Sequence, residues 1–167
     1  MYKFFIFVFI LCSNITLAQN ASDITIGKSA TYPVLYLLDG RKFLHSFSGA
    51  VAQWSSDATP QIPAMIVIAI TSQDRVRDSS PTNSLIGYPE KEEKGLEVSD
   101  GADDFLHFIK KELIPFVDKH YWTNSYRTFV GYSFTVLPVL HSLFNSPETF
   151  NSYLAIDLVL GGMIKWH

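Results

Sequence analysis

Cysteine is almost absent from the 167 residues: Cys12 is the only one, and it falls in a segment expected to be removed from the mature chain. A disulfide framework, thiolate metal centres and a cysteine nucleophile are therefore excluded for the mature protein. Positive charge is sparse as well. Thirteen Lys and Arg face sixteen Asp and Glu, for a formal charge of −3 without any basic cluster. Nucleic acid and anionic membrane surfaces are not expected partners. Glycine-rich phosphate cradles are missing too, since neither Asp39-Gly40 nor Gly161-Gly162 completes a G-x-G-x-x-G or Walker pattern. No His, Asp and Glu spacing suggests a metal ligand set, and no cofactor is expected.

What the chain does have is apolar sequence, 47% hydrophobic and 14% aromatic, which suits one globular domain rather than a disordered tail. Residues 1–18, "MYKFFIFVFILCSNITLA", combine one Lys, a continuous apolar stretch and a small residue before Gln19. This pattern predicts a signal peptide cleaved after Ala18, and hence a secreted or periplasmic protein. Phe4–Cys12 is too short for the roughly 20 apolar residues of a membrane span, so none is expected after cleavage. The expected mature chain, residues 19–167, carries a formal charge of −4.

Along that chain short β-rich runs alternate with helical patterns. "YPVLYLL" (32–38), "AMIVIAI" (64–70), "YRTFV" (126–130) and "YLAIDLV" (153–159) read as strands, the first two apolar throughout as strands covered on both faces must be. Residues 101–120 place Phe105, Phe108, Ile109, Leu113, Phe116 and Val117 on one helical stripe, with Asp103 and Asp104 in the first turn and Lys119 and His120 in the last. Residues 42–55 and 136–145 also read as helices. Strand and helix in alternation predict an α/β fold with a mostly parallel sheet. The polar stretch 72–100 reads as a long loop at a strand's C-terminal end, where open α/β sheets bind ligands. Within it, "EKEEK" (90–94) reads as a solvated face.

The sequence "VGYSFTV" (130–136) lies between a strand pattern and a helix pattern. A serine hydroxyl becomes a nucleophile only when a base takes its proton and donors receive the oxyanion. The G-x-S-x-G elbow presents such a serine at a strained strand-to-helix turn. Gly131 and Ser133 fit that pattern; Thr135 departs from it by placing a β-branched residue where backbones crowd, and Pro138 removes a helix donor. The residues alone leave two readings: a nucleophile, or a buried turn serine capping the next helix.

Four blocks in order, "YPVLYLLDG", "MIVIAITSQDRVRDSSPT", "GADDFLHFIKKELIPFVDKHY" and "YRTFVGYSFTVLPVLHSLFNSPETFNSYLAI", resemble the Putative esterase family of α/β hydrolases over residues 31–157. That group includes siderophore (enterobactin-type) esterases and esterase-D-like enzymes. "DRVRDSSPT" is similar to a family signature R-x-R-D-x-T-P, and "GYSFTV" to the family's "GHSFGG". The resemblance implies a partial α/β-hydrolase fold with the first and last strands missing, and an ester, of siderophore type among others, as small-molecule substrate. It implies Ser133 as acyl-forming nucleophile, with an oxyanion hole from the backbone of Phe134 and of the Gly40-Arg41 loop. Arg75, Arg77 and Asp78 could then line the cleft; as residues alone they read equally as an ion-paired turn.

In α/β hydrolases the acid and the histidine follow the serine in the chain. Only His141 and His167 do so here. His141 lies about 12 Å along the same helix at 1.5 Å per residue, out of reach of Ser133, and His167 is the last residue. His45, His107 and His120 precede the serine on helices or their ends, and Asp157 reads as a polar strand-end residue. A one-nucleotide shift after Asp157 can restore a family-like continuation, so a frameshift there is expected. Two functions follow: an exported serine esterase, or a catalytically inactive truncated fragment whose uncovered sheet edges favour self-association.

Overall fold

The computed structural model describes residues 5–10, 31–56, 59–83 and 100–158. Of the expectations above, "EKEEK", His167 and the signal-peptide cleavage point lie outside these residues. Five strands form one sheet in the order β1-β3-β2-β4-β5. They are β1 (Phe5–Ile10), β2 (Tyr32–Leu37), β3 (Ile66–Thr71), β4 (Thr123–Tyr132) and β5 (Ser152–Ile156). The last four run parallel; β1 pairs antiparallel to β3, from Phe5 opposite Thr71 to Ile10 opposite Ile66. The mostly parallel sheet is thus the one the apolar runs predict. The apolar stretch read as a leader occupies its edge because β3 offers an open row of backbone donors and acceptors there.

Alternation along each strand explains why these runs carry no polar residue. Val34, Tyr36 and Leu38 point to one face with Ile66, Ile68, Ile70 and Phe129, where they meet Phe105, Ile109, Leu113, Ile114, Val117, Val139 and Phe150. Leu35 and Leu37 point to the other with Val67, Ala69 and Val130, under Leu44 and Val51. The first face is covered by α3 (Ala102–Phe108), α4 (Ile114–His120) and α5 (Val136–Asn145), the second by α1 (Gly40–Ser55). Both faces are dry, so a strand residue has no solvent side on which to place a charge.

Two sequence expectations need correction. The stretch 72–100, read as a loop, contains the short helix α2 (Arg75–Ser79), started by Asp74, whose carboxylate accepts from the Arg77 amide at 3.0 Å. The helical stripe at 101–120 also slips. Residues Ile109–Leu113 form a π turn, in which the Ile114 amide reaches back five residues to the Ile109 carbonyl. Pro115 follows at once, a residue with no amide to give an ordinary helical bond. The wider turn advances the buried face, so Ile114 is buried while Phe116, expected inside, is 47% exposed and rests on the His120 ring at 4.2 Å.

The other differences are at boundaries. β4 runs through Tyr132, β5 stops at Ile156, and α1 starts at Gly40. That glycine is required by packing: a Cβ would lie 2.7 Å from Ala69 Cβ and 2.8 Å from the Ala69 carbonyl carbon, which seats the start of α1 against β3. No helix among the described residues is long and apolar enough to cross a membrane.

Ile68 lies at the centre of this arrangement and is wholly buried. Replacing it by alanine removes three carbons from a site walled by two strands and a helix, and should cost about 3 kcal/mol. Urea unfolding of the Ile68→Ala variant measures it; a loss below about 1 kcal/mol would contradict this packing.

Candidate active site

At the C-terminal edge of the parallel strands the backbone is strained. Asp39 after β2 (φ 52°), Ser133 after β4 (φ 54°) and Asp157 after β5 (φ 55°) all lie in the left-handed region, which non-glycine residues adopt at a cost of about 1–3 kcal/mol. Such strain persists only where surrounding contacts fix it. At Ser133 they are visible. A Cβ on Gly131 would collide with the Thr135 carbonyl oxygen, and would lie 2.7 Å from the Thr135 carbonyl carbon and 2.9 Å from Val139 Cγ2. Strand end and helix start therefore touch backbone to backbone, and Ser133 is the residue left to turn the chain between them.

This geometry differs from that of a buried serine capping the next helix. Ser133 is half-exposed rather than buried, and opens a one-turn 3₁₀ segment, Ser133–Thr135; the residue capping α5 is Thr135. Thr135 itself sits at φ −76°, a conformation that needs no glycine. Its buried hydroxyl accepts the Tyr132 amide at 3.0 Å and faces Tyr132 O at 3.0 Å and Asp39 Oδ2 at 3.3 Å. The threonine expected to crowd the turn therefore bonds across it. Pro138 is buried in the first turn of α5 at little cost, because the Phe134 carbonyl that an amide there would serve accepts from Val136.

Beside the serine's turn, Asp39, Arg41, Lys42, Thr71, Ser72 and Arg75 line a cleft of about 430 Å³. Arg75 holds Asp39 in a bidentate pair, Nε to Oδ1 and Nη2 to Oδ2, both 2.8 Å, and its guanidinium stands 5.4 Å from the centre of the Phe134 ring. The Arg41 amide donates to Thr71 Oγ1 at 3.2 Å, so an anion arriving there must displace a hydroxyl. Lys42 lies over Phe43 and Tyr132, whose rings are 4.7 Å apart. The Asp157 carboxylate close to the Tyr132 hydroxyl pushes that group's ionisation above the ordinary tyrosine range; sequence reading had given Asp157 no partner.

Arg77 and Asp78 are not in this lining. Asp78 is buried and accepts from Arg77 Nε at 2.9 Å, Arg77 Nη2 at 2.6 Å and the Ser72 hydroxyl. The Arg77 carbonyl takes the Gly101 amide at 3.0 Å. The pair ties α2 to β3 and to the start of α3. Of the three polar residues expected at the cleft, Arg75 alone faces it.

The described histidines lie elsewhere. His141 Nε2 is 2.7 Å from Asp103 Oδ1, and its Nδ1 is 3.1 Å from Asn145 Nδ2, in a separate cavity of about 270 Å³ between α3 and α5. His107 lines that cavity too, His120 Nδ1 bonds the Phe116 carbonyl at 2.7 Å, and His45 is exposed on α1. No bond from any of them to Ser133 occurs among the described residues, nor does a group of three or more His, Cys, Asp and Glu side chains able to hold a metal. Sequence spacing had already taken His141 out of reach; its Asp103 partner, 38 residues away, had no sequence signal.

Gly131→Ala tests the contact that produces the turn. The added methyl has no room beside Thr135 and Val139, so the variant should lose about 3 kcal/mol of stability in urea unfolding. A variant as stable as the wild type would mean that strand and helix are not in contact.

A family model described as Putative esterase matches residues 25–157. The ferri-bacillibactin esterase BesA of Bacillus subtilis (strain 168) is 32% identical over 137 residues, 75% of this chain and 47% of its own. Among solved structures, an IroE-like serine hydrolase from Shewanella oneidensis superposes with a TM-score of 0.74 and 34% identity, covering 78% of this chain and 42% of that one. The siderophore hydrolase EstA from Aspergillus nidulans gives 0.66 and 26%, covering 76% and 45%. The chain thus spans less than half the length of these relatives, yet the matched region contains the serine turn, the cleft and four of the five strands. It belongs to the Putative esterase family of α/β hydrolases.

Proposed function

We propose that Ser133 is the acyl-accepting nucleophile of an esterase-type site. The observation that carries this reading is its left-handed backbone at a strand-to-helix contact only a glycine two residues earlier permits. In the reaction Ser133 Oγ bonds to the ester carbonyl carbon, the carbonyl oxygen takes the negative charge, and the C–O bond to the leaving alcohol breaks. The Oγ proton passes through a base to that alcohol, and water then releases the acid. The Phe134 amide and the Gly40-Arg41 loop are the proposed oxyanion donors. Arg41 and Lys42 on the cleft wall suit an ester carrying negative charge, and the relatives named as ferri-bacillibactin esterase and siderophore hydrolase point to siderophore-type esters.

A second reading has its own support: every described histidine with a recorded ring bond, His120 and His141, is bonded away from the serine. Without an imidazole beside it the hydroxyl keeps its proton, and the described residues constitute an inactive half-site. The two readings separate experimentally. The full chain should be labelled by a fluorophosphonate and its Ser133→Ala variant should not; loss of labelling in both removes the nucleophile. The esterase reading expects serine-dependent hydrolysis of a short-chain p-nitrophenyl ester, and such turnover would remove the inactive reading; turnover that stays at the Ser133→Ala level supports the inactive half-site.

Export belongs to the same proposal. Cleavage after Ala18 takes β1 with it and leaves the outer edge of β3 unpaired over six residues. Mass spectrometry of the exported protein should give Gln19 as first residue, and sedimentation velocity of residues 19–167 should show concentration-dependent association. A protein that keeps Met1, or stays monomeric at every concentration, would count against it.

A further inference from the structure

We propose that the Asp39 carboxylate and the Thr135 hydroxyl form a clamp that sets the spacing of the two proposed oxyanion-donating segments; the inference rests on Ser133 as the nucleophile. One segment is the turn bearing Phe134, the other the Gly40-Arg41 loop, and they come from chain positions almost a hundred residues apart. Asp39 immediately precedes the second, in a left-handed conformation. Its Oδ1 accepts Arg75 Nε, and its Oδ2 accepts Arg75 Nη2 and lies 3.3 Å from Thr135 Oγ1. Thr135 closes the circuit from the other side by accepting the Tyr132 amide at the end of β4.

The stereochemistry gives Thr135 a definite role. Its hydroxyl has one proton and two candidate acceptors, Tyr132 O and Asp39 Oδ2. Donation to Tyr132 O closes the turn on itself. Donation to the carboxylate, at 3.3 Å against 3.0 Å for Tyr132 O, links the turn to the β2 loop and is favoured by the charge on the acceptor. Arg75 orients that carboxylate and stacks on Phe134, so the same guanidinium touches both segments. A glycine at position 135 would permit the turn but could not make this link. Thr135 is accordingly a positioning residue; Asp39 and Arg75 also line the cleft, and in this assignment all three act by fixing where the amides stand.

The test pairs a loss with a rescue in the full chain. Thr135→Val keeps shape and removes the hydroxyl; Thr135→Ser keeps the hydroxyl. Fluorophosphonate labelling of Ser133 should slow about tenfold in Thr135→Val, the equivalent of one hydrogen bond to a charged group, and return to within about threefold of wild type in Thr135→Ser. Since Thr135→Val also strips the Tyr132 amide of a partner, Arg75→Gln serves as the second variant: its side chain is 45% exposed, so it should slow labelling about threefold without moving the melting midpoint. Amide hydrogen exchange at Phe134 and Arg41 supplies a readout independent of reactivity, expected to rise in Thr135→Val and Arg75→Gln and not in Thr135→Ser. Unchanged exchange in both loss variants overturns the clamp, whatever the labelling. A wild type that resists labelling while the exchange pattern appears as expected removes the nucleophile and leaves the clamp as a structural tie only.

Discussion

The contact between the end of β4 and the start of α5 governs everything at this sheet edge. With no side chain at Gly131, the two backbones meet, and the chain has one residue in which to reverse from extended to helical. Ser133 takes that residue's left-handed conformation. An unfavourable φ of this kind is stable only because the strand is buried on both faces and α5 is anchored by Val136, Leu137 and Val139 beneath it. The fully apolar strands are thus the reason a polar residue can be held in a conformation it would otherwise leave.

Strain at three strand ends gives the edge its chemistry. Asp39, Ser133 and Asp157 follow three strands of one parallel sheet, so their side chains are collected along one rim. Two of the three are carboxylates, and each has a polar neighbour: Asp39 is bonded to Arg75 and faces Thr135, and Asp157 lies close enough to the Tyr132 hydroxyl to raise its ionisation. The serine is the uncharged member of the set, half-exposed like Asp39. Negative charge on this rim is therefore neutralised or shared by donors, and the cations Arg41 and Lys42 remain on the cleft wall.

Much of this was legible from residue types. Strands buried on both faces announce themselves as unbroken apolar runs, and β2, β3 and α5 lie within two residues of where the sequence places them. The serine's turn was legible as well, because glycine two residues before a serine between strand and helix patterns has a steric meaning. What escaped depended on partners distant in the chain. Phe116 faces solvent because a π turn ahead of Pro115 rotates the helix, a change of phase that a fixed 3.6 period cannot register. Thr135 looked like an obstacle because its steric bulk is visible in the sequence and its bond to Asp39, 96 residues away, is not. Arg77 and Asp78 were left between cleft residues and an ion-paired turn; they form the ion pair, and the burial of Asp78 within α2 comes from a fold that neither residue type reveals.

A serine held in this way has some of the requirements of acyl transfer and not others. Its exposure and strained backbone are supplied by the fold, and they persist whether or not a base is present. Removal of the proton is a different matter, since it needs a ring nitrogen within about 3 Å of Oγ. His141 shows how firmly a histidine can be committed elsewhere: one ring nitrogen meets Asp103 and ties α5 to α3, and the other meets Asn145 one turn on in α5 itself. Turning that ring toward Ser133 would break both contacts and still leave the two residues eight positions apart on one rod. The proposed oxyanion donors and a general base are therefore separate requirements. The first belong to the sheet edge itself, whereas the second must come from a side chain that the described part of the fold does not bring to the serine.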